Sequence, residues 1–213
     1  MTETVSISQL VHGGQGMGVL ADGRKVFVWN ALPGEQVVVE LTKKRRDYAE
    51  AIAREIIKPS LERIEPRDEA YLSTSPWQIM TFAAENEAKR AILAEALQRE
   101  GVAYDGTIQF HSGETEWQYR NKMEYSFWAD DDGIHTALFN RGTHCKQIVA
   151  GSSIARPEID TVAQNLCSLL TGVGIRGSQL KTVVIRCNQQ GECVASLFVK
   201  DEAFPEIKEL AGL

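Results

Sequence analysis

A small β-barrel followed by an α+β domain is the architecture the sequence predicts, on three observations. Residues 1–60 break into short apolar runs separated by glycine and proline turn formers. Two later stretches, beginning near Ser75 and at Pro157, repeat apolar residues at helical spacing. The remaining segments read as paired strands, which points to an antiparallel sheet.

The barrel strands are expected around Val5–Ile7, Gly18–Leu20, Lys25–Val28, Gln36–Leu41 and Tyr48–Ile57. Between them, Gly13-Gly14-Gln15-Gly16 and Leu32-Pro33-Gly34 supply the backbone angles that tight turns need. Asp22-Gly23 reads as a two-residue hairpin turn. Five such strands fit a closed barrel of the OB type, with an SH3-like barrel as the alternative. Alternation stops between Pro59 and Pro66, so the expected domains are 1–59 and 60–213.

Ser75-Pro76-Trp77-Gln78 reads as a capping box opening a long helix. That helix is expected to carry Phe82, Ala84, Ala88, Ile92 and Ala96 on one side and to stop at Gly101. Strands are then expected at Thr107–His111, Gln118–Trp128 and Gly133–Phe139. A helix over Pro157–Leu170 should end at Gly172, and a hairpin should join Lys181–Arg186 to Cys193–Val199.

The 213 residues carry a net charge of −6, which argues against the whole surface being a polyanion binder. The distribution is uneven. Residues 1–60 hold 8 basic and 7 acidic side chains, against 15 and 22 in the rest. No apolar run approaches the roughly 18 residues that cross a bilayer, and the N-terminus has no signal-peptide pattern, so a cytoplasmic location without membrane contact is expected. The four cysteines, Cys145, Cys167, Cys187 and Cys193, are absent from the first two thirds of the chain and read as reduced strand or core residues. Cys187 and Cys193 are the only pair placed to meet across a hairpin.

Two segments have the residue types for nucleic acid. Lys43-Lys44-Arg45-Arg46-Asp47-Tyr48 is expected as a barrel loop, its cations suited to phosphates and Tyr48 to stacking on a base. A solvated hairpin tip is the blander reading. Tyr119-Arg120-Asn121-Lys122 combines cations, an amide and an aromatic on one expected strand, able to reach phosphates, sugars and base edges. A merely polar strand face is its alternative. Arg141, with His144 and Lys146, forms a looser basic loop and is added to the candidate RNA contacts; His12 reads as a turn residue. The barrel rim and the Tyr119–Lys122 strand are expected to form one continuous face.

Several stretches together resemble the RNA (uracil-5-)-methyltransferase family. Gly16-Met17-Gly18-Val19, Asp22-Gly23-Arg24-Lys25-Val26-Phe27-Val28 and Ala31-Leu32-Pro33-Gly34-Glu35 look like its TRAM domain in order and spacing. Ala49–Ile57, then Pro59-Ser60, Arg63 and Pro66, resemble the exit into the family's central domain. Gln78, Lys89 and Tyr119-Arg120-Asn121-Lys122 continue the likeness, which weakens toward Val199. The resemblance implies RNA, ribosomal or transfer, as partner and 5-methyluridine as product.

Many members of that family hold an iron–sulfur cluster through four cysteine thiolates. Here the corresponding positions read Pro66-Arg67-Asp68, Leu72-Ser73-Thr74-Ser75 and, further on, Ser152, so no cluster is expected. The chemistry itself needs a thiolate to attack C6 of uracil, S-adenosylmethionine as methyl donor and a base for the C5 proton. The resemblance places these in a Rossmann-like domain, and no glycine-rich strand-to-helix turn of that kind is evident before Leu213. The chain is therefore expected to contain no catalytic residue and no cofactor and to be inactive alone, as a truncated enzyme. The intact enzyme would use S-adenosylmethionine. A stand-alone RNA-binding module is the alternative.

Overall fold

The computed structural model describes residues 2–104, 106–113, 115–200 and 204–205. It divides into two compact units, Met1–Ser112 and Gly113–Leu213. Within the first unit the segment after residue 59 packs back onto the barrel, for reasons visible in its side chains.

In the first unit, β1 (Thr2–Ser6), β2 (Gln9–Leu10), β3 (Gly16–Val19), β4 (Lys25–Trp29), β5 (Gln36–Lys44) and β6 (Tyr48–Lys58) form one sheet in the order β1-β5-β6-β4-β3-β2. All pairs are antiparallel except β4 with β6. Alternation places Val26, Val28, Val37, Val39, Ala49 and Ala51 wholly inside. The chain just after β1 closes the barrel by pairing with β3, Ser8 N–H donating to the Met17 carbonyl at 2.9 Å. That closure explains two glycines. A Cβ at Gly16 would sit 2.7 Å from Ile7 Cγ2, and one at Gly18 would sit 2.4 Å from Val5 Cγ1. Gly16 is thus a strand glycine kept for close approach, where the sequence suggested a turn former.

The Asp22-Gly23 turn also departs from expectation. Gly23 N–H bonds the Leu20 carbonyl, Leu20 N–H bonds the Arg24 carbonyl, and only Gly23 has positive φ (87°). This is a three-residue loop with one left-handed glycine; the two-residue turn would need Asp22 left-handed as well.

Beyond the barrel come a one-turn helix, α1 (Tyr71–Thr74), a 3-10 turn (Pro76–Ile79) and α2 (Phe82–Arg99). Ser75 does not cap the long helix. It precedes the 3-10 turn without a side-chain cap, while Thr81 accepts the Ala84 N–H at 3.3 Å and opens α2. The proline-containing segment is spent on a separate turn whose Ile79 joins a second small core with Leu10, Leu32 and Met80. Ala84, Ala88 and Ile92 pack on that core, yet no residue of α2 is fully buried. Gly101 ends the helix as expected: its φ is +67°, and the N–H groups of Gly101 and Val102 bond the Gln98 and Leu97 carbonyls.

In the second unit, β7 (Lys122–Asp130), β8 (Gly133–Phe139), β9 (Lys146–Ile148), β10 (Leu180–Cys187) and β11 (Cys193–Val199) form an antiparallel sheet in the order β11-β10-β7-β8-β9. The helix α3 (Pro157–Gly172) lays Ile159, Ala163, Leu166 and Leu170 on one face of it, against Tyr125, Phe127, Val183 and Ile185. The Tyr125 hydroxyl donates to Asp160 at 2.6 Å, tying sheet to helix. α3 runs two residues past Leu170 and ends through Gly174, φ +74°, where Gly172 was expected to stop it. Residues 107–111 form no strand, and β7 begins at Lys122, four residues later than expected. An antiparallel sheet with helices is thus present, in part as the sequence predicts.

Candidate nucleic-acid interface

The first candidate segment is the tip of the β5–β6 hairpin. Lys43 and Lys44 still belong to β5, Arg45 to Asp47 form the turn, and Tyr48 opens β6. Arg45 N–H bonds the Tyr48 carbonyl at 2.9 Å, so four cations project from a short, hydrogen-bonded turn. Their compensation is greater than the sequence count suggested. Lys43 pairs with Glu50 at 3.0 Å, because the register sets the two residues opposite each other. Among the described residues Arg45 and Arg46 are exposed and in no salt bridge. Tyr48 is half-buried and meets Phe27 edge-on, ring centroids 5.8 Å apart, which leaves its ring less open for a base than expected.

A fifth cation, missed in the sequence, belongs to this tip. Arg24 Nη1 donates to the Arg45 carbonyl at 2.9 Å, and Arg24 Nε donates to Asp22 at 2.9 Å. That carboxylate is held below its usual range, first by the Arg24 side chain and then by the Arg24 N–H, with Lys44 contributing. The β3–β4 turn is thus fastened to the β5–β6 tip. The only sequence signal was a cation directly after Asp-Gly, in a turn whose partner loop is about 20 residues away.

The barrel's anchor is also polar. Glu35, 1% exposed, accepts hydrogen bonds from Leu32 N–H (2.8 Å) and Ser60 N–H (3.0 Å) and from Arg63 at 2.6 and 2.8 Å. Arg63 also bonds Asn30, side chain and carbonyl. Burial pushes the Glu35 carboxyl up, but Arg63 and the two N–H groups outweigh it and hold it below the ordinary value. This clamp explains why residues after Pro59 stay with the barrel.

The stretch from Asp68 to Gln78, where the resemblance had raised the question of a cluster, closes on itself. Asp68 accepts from Thr74 Oγ1 and Gln78 Nε2, both at 3.0 Å, and donates its N–H to Gln78 Oε1 at 3.1 Å. An oxygen-and-amide set of this kind does not fit an iron–sulfur cluster, which takes thiolates.

In the second unit, Tyr119, Arg120 and Asn121 precede β7. Arg120 bridges to Ala155, its N–H bonding the Ile154 carbonyl at 2.8 Å, and the Asn121 carbonyl accepts from Cys187 at 2.9 Å. Backbone on this segment is therefore committed, and extended alternation divides the four side chains between two sides. Tyr119, Asn121 and Lys122 are exposed; Arg120 is half-buried with its guanidinium beside Met123 sulfur. Arg141 is half-buried, and burial lowers its pKa. His144 is exposed, while Lys146 lies on β9 with its ammonium on the Phe127 carbonyl. His12 is an exposed turn residue. The two candidate segments fall in separate compact units. Burial lifts the Cys167 and Cys193 thiols to about 11, so both stay protonated at neutral pH.

Comparison with known proteins places this geometry in context. Residues 1–53 match the TRAM domain. An uncharacterized RNA methyltransferase of Lactococcus lactis is 27% identical over 96% of this chain, which covers 44% of that protein. A 23S rRNA (uracil(1939)-C(5))-methyltransferase of Shewanella baltica is 29% identical over 75% of this chain, which covers 36% of it. The crystal structure of the Pyrococcus abyssi tRNA (uracil-54, C5)-methyltransferase with S-adenosyl-L-homocysteine shares the fold. It matches with a TM-score of 0.64 at 15% identity, over 95% of this chain and 47% of its own. The chain thus spans less than half the length of these relatives, and the likeness by itself does not place methyl transfer outside it.

Proposed function

We propose that this chain grips RNA, ribosomal or transfer, as the recognition portion of a cytoplasmic S-adenosylmethionine-dependent RNA (uracil-5-)-methyltransferase. The observation that carries the reading is that likeness to RNA methyltransferases runs through both compact units and not through the TRAM barrel alone. In this reading 1–59 is the barrel domain and 60–213 the central domain. The barrel tip, Lys43 to Arg46 with Arg24 behind it, holds the phosphate backbone. Arg120, Asn121 and Lys122 steady an unstacked loop whose uridine is turned out for reaction, Tyr119 lies beside them, and Arg141 adds a further contact.

S-adenosylmethionine is the donor such enzymes require. The described residues do not fit it: α2 follows a 3-10 turn, α3 follows a bridge at Ala155, and neither follows a parallel strand through a glycine-rich turn. In this reading the described residues bind and present RNA.

The test is binding of ribosomal and transfer RNA stem-loops across a salt series. Replacing Lys43, Lys44, Arg45 and Arg46 together by alanine should weaken binding and reduce the slope of log K against log salt by about 0.7–0.9 for each phosphate no longer neutralised. Unchanged affinity and slope would overturn the assignment.

A further inference from the structure

The two faces of the second unit's sheet are unlike. α3 covers one. On the other, the register aligns Ile148, Ala137, Ser126, Thr182 and Phe198 in a single row across all five strands. Trp128 and Phe139 stand on the same face by alternation, as does Val194 opposite Arg186.

Large apolar side chains remain in water here: Trp128 is 45% exposed, Phe139 50%, Phe198 48% and Val194 69%. Between them the floor is small, with Ala137 and Ser126 buried. Scattered exposed apolar residues need no explanation, but several gathered on one sheet face mark a contact surface.

Charge on this face says what kind. Lys122 lies directly opposite Arg186, an arrangement that costs stability, and among the described residues neither is in a salt bridge. Lys146 sits 5.0 Å over the Phe139 ring. Among the described residues the acids on these strands' bare face are Glu124 and Asp130, the latter bonded to His135 at 2.9 Å. Two unpaired cations suit phosphates, and exposed rings suit bases whose π-faces are free. A duplex, its bases already stacked, offers no such faces.

We propose that this face, uncovered among the described residues, binds unpaired nucleotides of RNA, with Trp128, Phe139 and Phe198 stacking on bases and Lys122 with Arg186 at phosphates. The inference rests on the reading that the chain grips RNA and extends the contact at Lys122 into a sequence-tolerant surface.

The experiment measures binding of a short oligouridylate and of an RNA duplex of equal length to the 213-residue chain. Trp128→Ala and Phe198→Ala should each weaken oligouridylate binding about fivefold to a hundredfold and leave duplex binding unchanged. Trp128→Phe should restore most of the loss. Circular dichroism checks that the variants fold, which their exposed positions favour. Unchanged oligouridylate affinity in both alanine variants, with binding weakened as expected when Lys43 to Arg46 are replaced, would overturn this inference and leave the RNA-gripping reading intact. Failure of the unsubstituted chain to bind any RNA would remove both. Dissociation of a dimer by Trp128→Ala would identify the face as a self-association surface and equally overturn the proposal.

Discussion

The two sheets of this protein dispose of their apolar residues in opposite ways. The barrel curls until its strands close on each other, so Val26, Val28, Val37 and Val39 are spent inside, and what remains for a partner is a charged turn. The sheet of the second unit stays open, covers one face with α3 and keeps aromatic rings on the other. A closed sheet offers its loops; an open one offers a surface.

The contrast between the sheets has an energetic side, and four substitutions test it, taken from the largest expected effect to the smallest. Arg63→Ala should be the most damaging, because it strands the buried Glu35 carboxylate, and breaking a buried pair this way costs about 3–5 kcal/mol. The expected result is an earlier urea transition. The same carboxyl gives a pH signature. Its folded pKa lies below the ordinary value, so its contribution is fully present above the unfolded pKa and is lost as pH falls through the folded one. Glu35→Gln should therefore flatten the acid limb of stability against pH; an unaltered limb would show that the clamp is not what acid breaks.

Tyr125→Phe comes next. It removes the 2.6 Å bond to Asp160 between sheet and helix, a bond to a charged group of about 1.5–3 kcal/mol. A loss equal to that of Arg63→Ala would mean that the open sheet depends on its polar tie as heavily as the barrel does. Smallest is Val194→Thr on the bare face, expected within about 0.5 kcal/mol of the parent in the same urea assay. A larger cost would show that this face is already packed against something.

Legibility in the sequence followed the range of the forces involved. β8, the β10–β11 hairpin and the Gly101 stop depend on neighbours in sequence, and their signals were readable. Ser75 misled because a capping pattern is local while the choice between two helix starts was made by Ile79 entering a small core with Leu10 and Leu32. The cations at 43–46 were legible as a charge run. Their pairing with Glu50 and Arg24's hold on the Arg45 carbonyl depend on register and on turns meeting in space, which no run of residues displays. The exposed rings were equally hidden, since alternation tells two faces apart without saying which one α3 will cover.

The parallel partnership of β4 with β6 carries a consequence for synthesis. Residues 25–29 can pair with β3 at once but cannot find their parallel neighbour until residues 48–52 exist, and the carboxylate at Glu35 has no guanidinium until Arg63 has left the ribosome. Such long-separation pairing folds slowly. The barrel must wait as an unfinished sheet while more than a quarter of the 213 residues are made, and Arg63 acts as the latch that arrives last.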